Sequence, residues 1–201
     1  MAKRVLQLPM RIIGVAGWSG SGKTTLLAKV IPCLVGRGRT VSTVKHAHHA
    51  FDLDQPGKDS HTHRMAGATE VLIGSANRFA LMHELRGAPE PPLGELLARL
   101  APVDLVIVEG YKAHPHPKLE VHRAALGKPL IHPNDSWIVA VASDAPLAGV
   151  ELPVISLNDI ETIADVLLVE SMPIERLLEH DPEKWSPVFG KDHAPKKGRP
   201  G

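Results

Sequence analysis

The stretch Gly17-Trp18-Ser19-Gly20-Ser21-Gly22-Lys23-Thr24 constrains this chain more than any other, because it fills every fixed position of G-x-x-x-x-G-K-[ST]. The apolar run before it, Ile12-Ile13-Gly14-Val15-Ala16, reads as a buried strand, and the run from about Lys23 to Val35 reads as a helix. A strand, a glycine-rich turn and a helix in that order make a phosphate loop. Glycines let the backbone aim several N–H groups at one point, and the helix adds the positive end of its dipole. Lys23 reaches terminal phosphates as a point charge, and the Thr24 hydroxyl suits a phosphate-bound Mg²⁺.

The remaining chain reads as an α/β protein. Thr40 to Val44 alternates like a strand and delivers Lys45-His46 at its end, completing a β-α-β start. A long polar segment, His46 to Ser60, precedes a short helix through Met65-Ala66 with Asp59 or Ser60 as its cap. Glu70 to Ile73 and Arg78 to Met82 read as a hairpin. A stiff proline-rich connection leads into a helix from Leu93 to Leu100 and a buried strand from Val103 to Gly110. Residues 111–136 read as a polar excursion over the nucleotide-binding edge, with one strand-like interruption at Leu119 to Arg123. Strands at Trp137 to Ala142 and Pro153 to Ser156 follow, then a helix from Asn158 or Asp159 to about Val169. The expected fold class is a P-loop NTPase: a mostly parallel β-sheet with helices on both faces and an added antiparallel hairpin. The expected domain spans residues 1–172, with residues 173–201 a tail of short helix and irregular chain.

Composition removes several function classes. A net charge of +1 from 23 basic and 22 acidic residues supplies no global field for nucleic acid or an anionic membrane. No run is long and apolar enough to span a bilayer, and residues 1–10 are too broken for a signal peptide. The single Cys33 excludes an intrachain disulfide, so a cytoplasmic setting is expected.

In a parallel sheet, ligands bind beyond the carboxyl ends of the strands. The apolar runs here end in the phosphate loop, in Lys45-His46, in Glu109-Gly110 and in Ser143-Asp144. Glu109 takes the place of the acid that closes a Walker B strand, next to Mg²⁺. Asp104, at that strand's other end, reads as a cap. Asp144 lies where guanine-specific members of the class carry Asn-Lys-x-Asp, of which only the aspartate is present in Ala142-Ser143-Asp144; a plain strand-terminating aspartate fits as well. Asp52 and Asp54 offer hard oxygen ligands for Mg²⁺. His46, His48, His49, His61 and His63 invite a transition-metal reading, an anion or pterin contact, or a solvated loop, and no carboxylate or thiol completes a recognisable ligand spacing.

The phosphate loop, Lys45-His46-Ala47-His48-His49, the block Asp52-Leu53-Asp54-Gln55-Pro56-Gly57-Lys58-Asp59-Ser60 and Val108-Glu109-Gly110-Tyr111-Lys112 together resemble the MobB family of molybdopterin-guanine dinucleotide biosynthesis. The likeness runs from about Arg11 to Val169. The resemblance implies a GTP-binding accessory protein, commonly dimeric. It would assist attachment of a guanosine monophosphate unit to the molybdenum cofactor, while a MobA-type guanylyltransferase performs the transfer. Carried over, Gly17, Ser19, Gly20, Ser21, Gly22, Lys23 and Thr24 hold the phosphates, with Thr25 and Lys45 beside them. Thr24, Asp54 and Glu109 surround Mg²⁺, and Asp144 meets the base. The expected cofactors are GTP and Mg²⁺, molybdopterin is a further candidate ligand, and hydrolysis is slow at most. Two alternatives use other residues: a small-molecule kinase with Lys112, Lys118, Arg123 and Lys128 as a lid, and a metal-delivery GTPase using the histidine loop.

Overall fold

The computed structural model describes residues 10–47 and 51–179. In chain order the elements are β1 (Arg11–Ala16), α1 (Lys23–Gly36), β2 (Val41–Lys45), α2 (Asp59–Met65), β3 (Glu70–Gly74), β4 (Phe79–His83), α3 (Leu93–Ala98), β5 (Leu105–Glu109), β6 (Lys118–His122), β7 (Ile138–Ser143), β8 (Val154–Ser156), α4 (Ile160–Val169), β9 (Met172–Pro173) and α5 (Ile174–Glu179). The chain divides into two compact units, residues 47–92 and the remainder. The expected irregular chain beyond residue 179 and the first nine residues lie outside the described part.

The larger unit is built on a seven-stranded sheet in the order β2-β5-β1-β6-β7-β8, with β9 pairing antiparallel to the start of β1. The six main strands are parallel. Parallel strands bury both faces, which explains why β1, β5 and β7 read as continuous apolar runs. On one face Ile13, Val15, Leu105, Ile107, Leu119, Val121, Ala140 and Ala142 meet Leu26, Val30 and Leu34 of α1 and Ile163, Ala164 and Leu167 of α4. Each fully buried aliphatic side chain there contributes about 1.5–3 kcal/mol. On the other face Ile12, Val106 and Val108 pack with Leu93 and Leu97 of α3 and with Met172 and Leu177.

Small departures from the expected elements have local causes. Lys58, not Asp59 or Ser60, is the N-cap of α2, and it makes no side-chain cap. Ser60 instead donates its hydroxyl to Asp54 Oδ1 at 2.8 Å, and Asp59 sits in the first turn, where a negative charge favours the dipole. Asp159 caps α4 by accepting from the Thr162 N–H at 3.1 Å. Asp104 bridges two strands' starts, its Oδ2 accepting from the Thr40 N–H and hydroxyl, each at 2.7 Å.

The main correction concerns residues 111–136. The short strand within them is no interruption in a surface excursion; as β6 it lies between β1 and β7 in the middle of the sheet. Its alternate residues Lys118, Glu120 and His122 look like a solvent face, yet all three are buried. For Lys118 and Glu120, the segment that follows the strand supplies polar partners. Lys118 Nζ donates to Asp135 Oδ2 at 3.0 Å, and the Glu120 carboxylate accepts the Ile131 and His132 N–H groups at 2.7 and 2.9 Å. Lys118, 2 % exposed, therefore cannot serve as a lid charge. His116 is equally buried, and Gly14 makes room for both: a Cβ there would stand 2.6 Å from His116 Nε2 and 2.9 Å from Lys118 Cγ.

The smaller unit holds α2 and an antiparallel pair, β3 and β4, matching the expected hairpin. Its sheet leaves Leu72, Ile73, Phe79 and Leu81 exposed.

Two stability predictions follow from the buried polar row. Burial, then the neighbouring Lys118 and His114, push the His116 pKa down to about 3, with Asp135 opposing. Because the folded pKa lies below the unfolded one, the unfolded chain takes up the extra proton. Stability is lost as pH falls from about 6.5 toward 3. Denaturant unfolding of His116→Leu between pH 7 and 4 should show a shallower loss than wild type, by up to about 1.4 kcal/mol per pH unit. Burial likewise lowers the Lys118 pKa, and Asp135 restores part of it. Asp135→Ala strands that ammonium and should cost about 3 kcal/mol in urea unfolding, whereas Lys118→Met should cost less.

Candidate functional site: the phosphate loop and the strand ends around it

The loop leaves β1 through Gly17, whose φ of 153° and surroundings exclude any larger residue: a Cβ would stand 2.6 Å from both Ser21 Oγ and the Val121 carbonyl oxygen. Gly22, with φ of 94°, is the N-cap of α1, and no side chain caps that helix. The first amides of a helix have no intrahelical acceptor, so the loop presents uncompensated donors at the dipole's positive end. Ser21 Oγ is buried without a hydrogen-bond partner among the described residues. Lys23 Nζ is folded back on the loop, donating to the Gly17 and Trp18 carbonyls at 3.0 Å each. Burial lowers its pKa, Glu109 opposes the change, and Lys112 and Lys45 add to it. A cationic amine held by nothing better than two carbonyls is ready to exchange them for an anion.

Glu109 ends β5 in register with Val15 of β1 and Lys45 of β2. The chain leaves β5 through Gly110, whose φ is 101° and where a Cβ would stand 3.0 Å from His46 Cβ. The His46 N–H donates to the Glu109 carbonyl at 2.8 Å, and the His46 ring lies 4.9 Å from that of Tyr111. Lys45 and Glu109 thus flank the loop on the β5 side. Asp144 follows β7 on the other side. Its Oδ1 accepts the Ala124 N–H at 2.9 Å and its Oδ2 faces Arg123 Nη1 at 3.4 Å.

Asp54 belongs to the smaller unit, where its carboxylate is 3 % exposed. Oδ1 accepts the Ser60 hydroxyl and, at 3.0 Å, the Gln55 N–H, while Oδ2 lies 3.5 Å from Arg64 Nε. Arg64 also pairs with Asp52 and Glu84. The order of residues in the Asp-Gln-Pro-Gly-Lys-Asp-Ser block therefore has an internal cause: the chain turns at Gly57, φ 87°, and returns Ser60 to Asp54. Among the described residues, no three His, Cys, Asp or Glu side chains gather as a metal site. His48 and His49 lie outside them.

Two residues at the loop escaped the sequence reading of the nucleotide site. Trp18 donates its indole N–H to the Pro129 carbonyl at 2.7 Å, with Lys112 Nζ 5.0 Å and Lys128 Nζ 5.9 Å from its ring centroid. Arg123, considered only as part of a kinase lid, follows β6 and places Nε 3.4 Å from the Ser21 carbonyl. Recognising Leu119 to Arg123 as a sheet strand would have put Arg123 among the strand-end residues. The alternating charges of that strand concealed it.

The family profile described as "Molybdopterin guanine dinucleotide synthesis protein B" matches residues 12–144. The "Molybdopterin-guanine dinucleotide biosynthesis adapter protein" of Escherichia coli (strain K12) is 40% identical over 160 residues, covering 78% of this chain and 91% of that protein. The protein of the same name from Haemophilus influenzae is 40% identical over 164 residues, covering 80% and 88%. The crystal structure of a MobB protein homolog from Bacillus stearothermophilus superposes with a TM-score of 0.58 at 30% identity, covering 82% of this chain and 98% of that one. With its phosphate loop at the edge of this parallel sheet, the chain belongs to the MobB family.

Proposed function

We propose that this chain binds GTP with Mg²⁺ at the phosphate loop and acts as an adapter in conversion of molybdopterin to its guanine dinucleotide form. The observation that carries this reading is the uncapped start of α1, with the orphaned Ser21 hydroxyl and the self-bonded Lys23 beside it. Those groups fit a polyphosphate. Gly17, Ser19, Gly20, Ser21, Gly22, Lys23, Thr24 and Thr25 would hold it, with Lys45 adding charge. Thr24 and Glu109 would hold the Mg²⁺, which neutralises phosphate charge when bound, and Asp144 would meet the guanine. The relatives' printed names support the adapter role, with a MobA-type guanylyltransferase as partner and molybdopterin as a candidate second ligand.

Hydrolysis in this reading is slow at most. The exposed apolar residues Leu72, Ile73, Phe79 and Leu81 of the hairpin support a homodimer, since a surface of that kind favours association. A cytoplasmic site of action agrees with the lone thiol of Cys33 and with the lack, among the described residues, of any helix long and apolar enough to cross a membrane.

Calorimetric titration with GTP, ATP and GDP tests the nucleotide reading. Lys23→Ala should weaken GTP binding about 10- to 100-fold through loss of one charge-assisted phosphate contact. An unchanged affinity would move the site elsewhere. Added to a MobA-type transferase with molybdopterin and GTP, the wild-type chain should raise dinucleotide yield and Lys23→Ala should not. Light scattering should give twice the chain mass, and Phe79→Asp should shift it toward the monomer.

A further inference from the structure

Arg123 has no part in the reading above, yet its guanidinium touches both ends of the site. Nε lies 3.4 Å from the Ser21 carbonyl inside the phosphate loop, and Nη1 lies 3.4 Å from Asp144 Oδ2 at the end of β7. Nη2 stands 3.1 Å from the place a Cβ on Gly22 would take, beside the N-cap of α1, and makes no hydrogen bond among the described residues. Its side chain is 40% exposed, so a ligand can reach it. Both contacts are longer than a usual N–H···O hydrogen bond, so the guanidinium has room to adjust when an anion meets Nη2.

The Asp144 end has its own need. Ala142-Ser143-Asp144 carries the aspartate of an Asn-Lys-x-Asp segment without its asparagine or lysine. Among the described residues, the Ala124 N–H on Oδ1 and Arg123 on Oδ2 orient the carboxylate. Arg123 is therefore one planar, permanently charged fork between the loop that would hold phosphates and the carboxylate that would read a base. Position in the sheet explains why: β6 lies between β1 and β7, so the residue leaving it falls between their two ends.

We propose that Arg123 binds the polyphosphate at the start of α1 and, through Asp144, couples phosphate binding to base selection. The guanidinium engages Asp144 Oδ2 while the Ala124 N–H holds Oδ1, which orients the carboxylate and leaves lone pairs on its oxygens for a base. A bound polyphosphate would hold Arg123 through Nη2, fixing the guanidinium and with it the carboxylate in the orientation that accepts from the guanine edge. Arg123 is a phosphate-binding residue at one end and a positioning residue at the other. The inference rests on the nucleotide reading above and adds to it a residue that sets specificity.

The test measures dissociation constants of GTP, ATP and inorganic tripolyphosphate for wild type, Arg123→Ala, Arg123→Lys and Asp144→Asn, each checked for wild-type thermal unfolding. Tripolyphosphate carries no base and reports the phosphate end alone. Arg123→Ala should weaken tripolyphosphate about tenfold and reduce the ratio of GTP to ATP affinity toward 1. Arg123→Lys keeps the charge but not the fork, so it should recover most of the tripolyphosphate affinity and little of the ratio. Asp144→Asn should lower the ratio and leave tripolyphosphate within about twofold. If Arg123→Ala left the GTP to ATP ratio unchanged, with or without a loss of phosphate affinity, the coupling would be overturned while the nucleotide reading stood. Wild-type protein that bound none of the three ligands would overturn both.

Discussion

An α-helix begins with amides that its own carbonyls cannot satisfy, and in this protein no side chain is spent on capping those at the start of α1. The rest of the larger unit follows from leaving that end open. Gly17 must be glycine because Ser21 Oγ and the Val121 carbonyl occupy the space a side chain would need. Gly22 must adopt a positive φ to start the helix there. Lys23 folds back onto the Gly17 and Trp18 carbonyls of its own loop. β5 and β7 then carry Glu109 and Asp144 to the same rim, because parallel strands all end on one side.

The same sheet has two chemically different faces. Under α1 and α4 it is aliphatic throughout. On the opposite face, β6 buries a lysine, a glutamate and a histidine, and the lysine and glutamate are compensated by a loop that follows the strand. Asp135 serves Lys118, and the amides of Ile131 and His132 serve Glu120. A half-satisfied row would be worse than an apolar one, so these contacts fasten residues 131–135 to the sheet. That strand in turn places Arg123 at the loop. Polar burial in the body of the sheet thus positions a cation at its functional edge.

Local chemistry also explains a motif that otherwise reads as pure function. The Asp-Gln-Pro-Gly-Lys-Asp-Ser block closes on itself through Ser60 and Asp54, and Arg64 gathers Asp52, Asp54 and Glu84. A fixed order of residues here reflects a turn that must return one hydroxyl to one carboxylate. Any role for Asp54 toward Mg²⁺ would draw on a group already engaged within its own unit.

Much was determined by the sequence alone. The phosphate loop, its flanking strand and helix, the hairpin and the cap at Asp159 depend on neighbours a few residues apart, and local spacing and turn chemistry reveal them. The strand-end positions of Glu109 and Asp144 were legible for the same reason. The identity of β6 was not, because its polar residues become buried only when Asp135 and the 131–132 amides arrive from elsewhere in the chain. Arg123, read as a lid charge, stayed unplaced at the strand end with it. Nor could spacing reveal that Asp144 is already engaged by Arg123 and Ala124, or that Lys23 rests on its own loop. Tertiary structure decided those points, since burial and long-range partners, not residue type, determine whether a charge faces water, a core or a ligand.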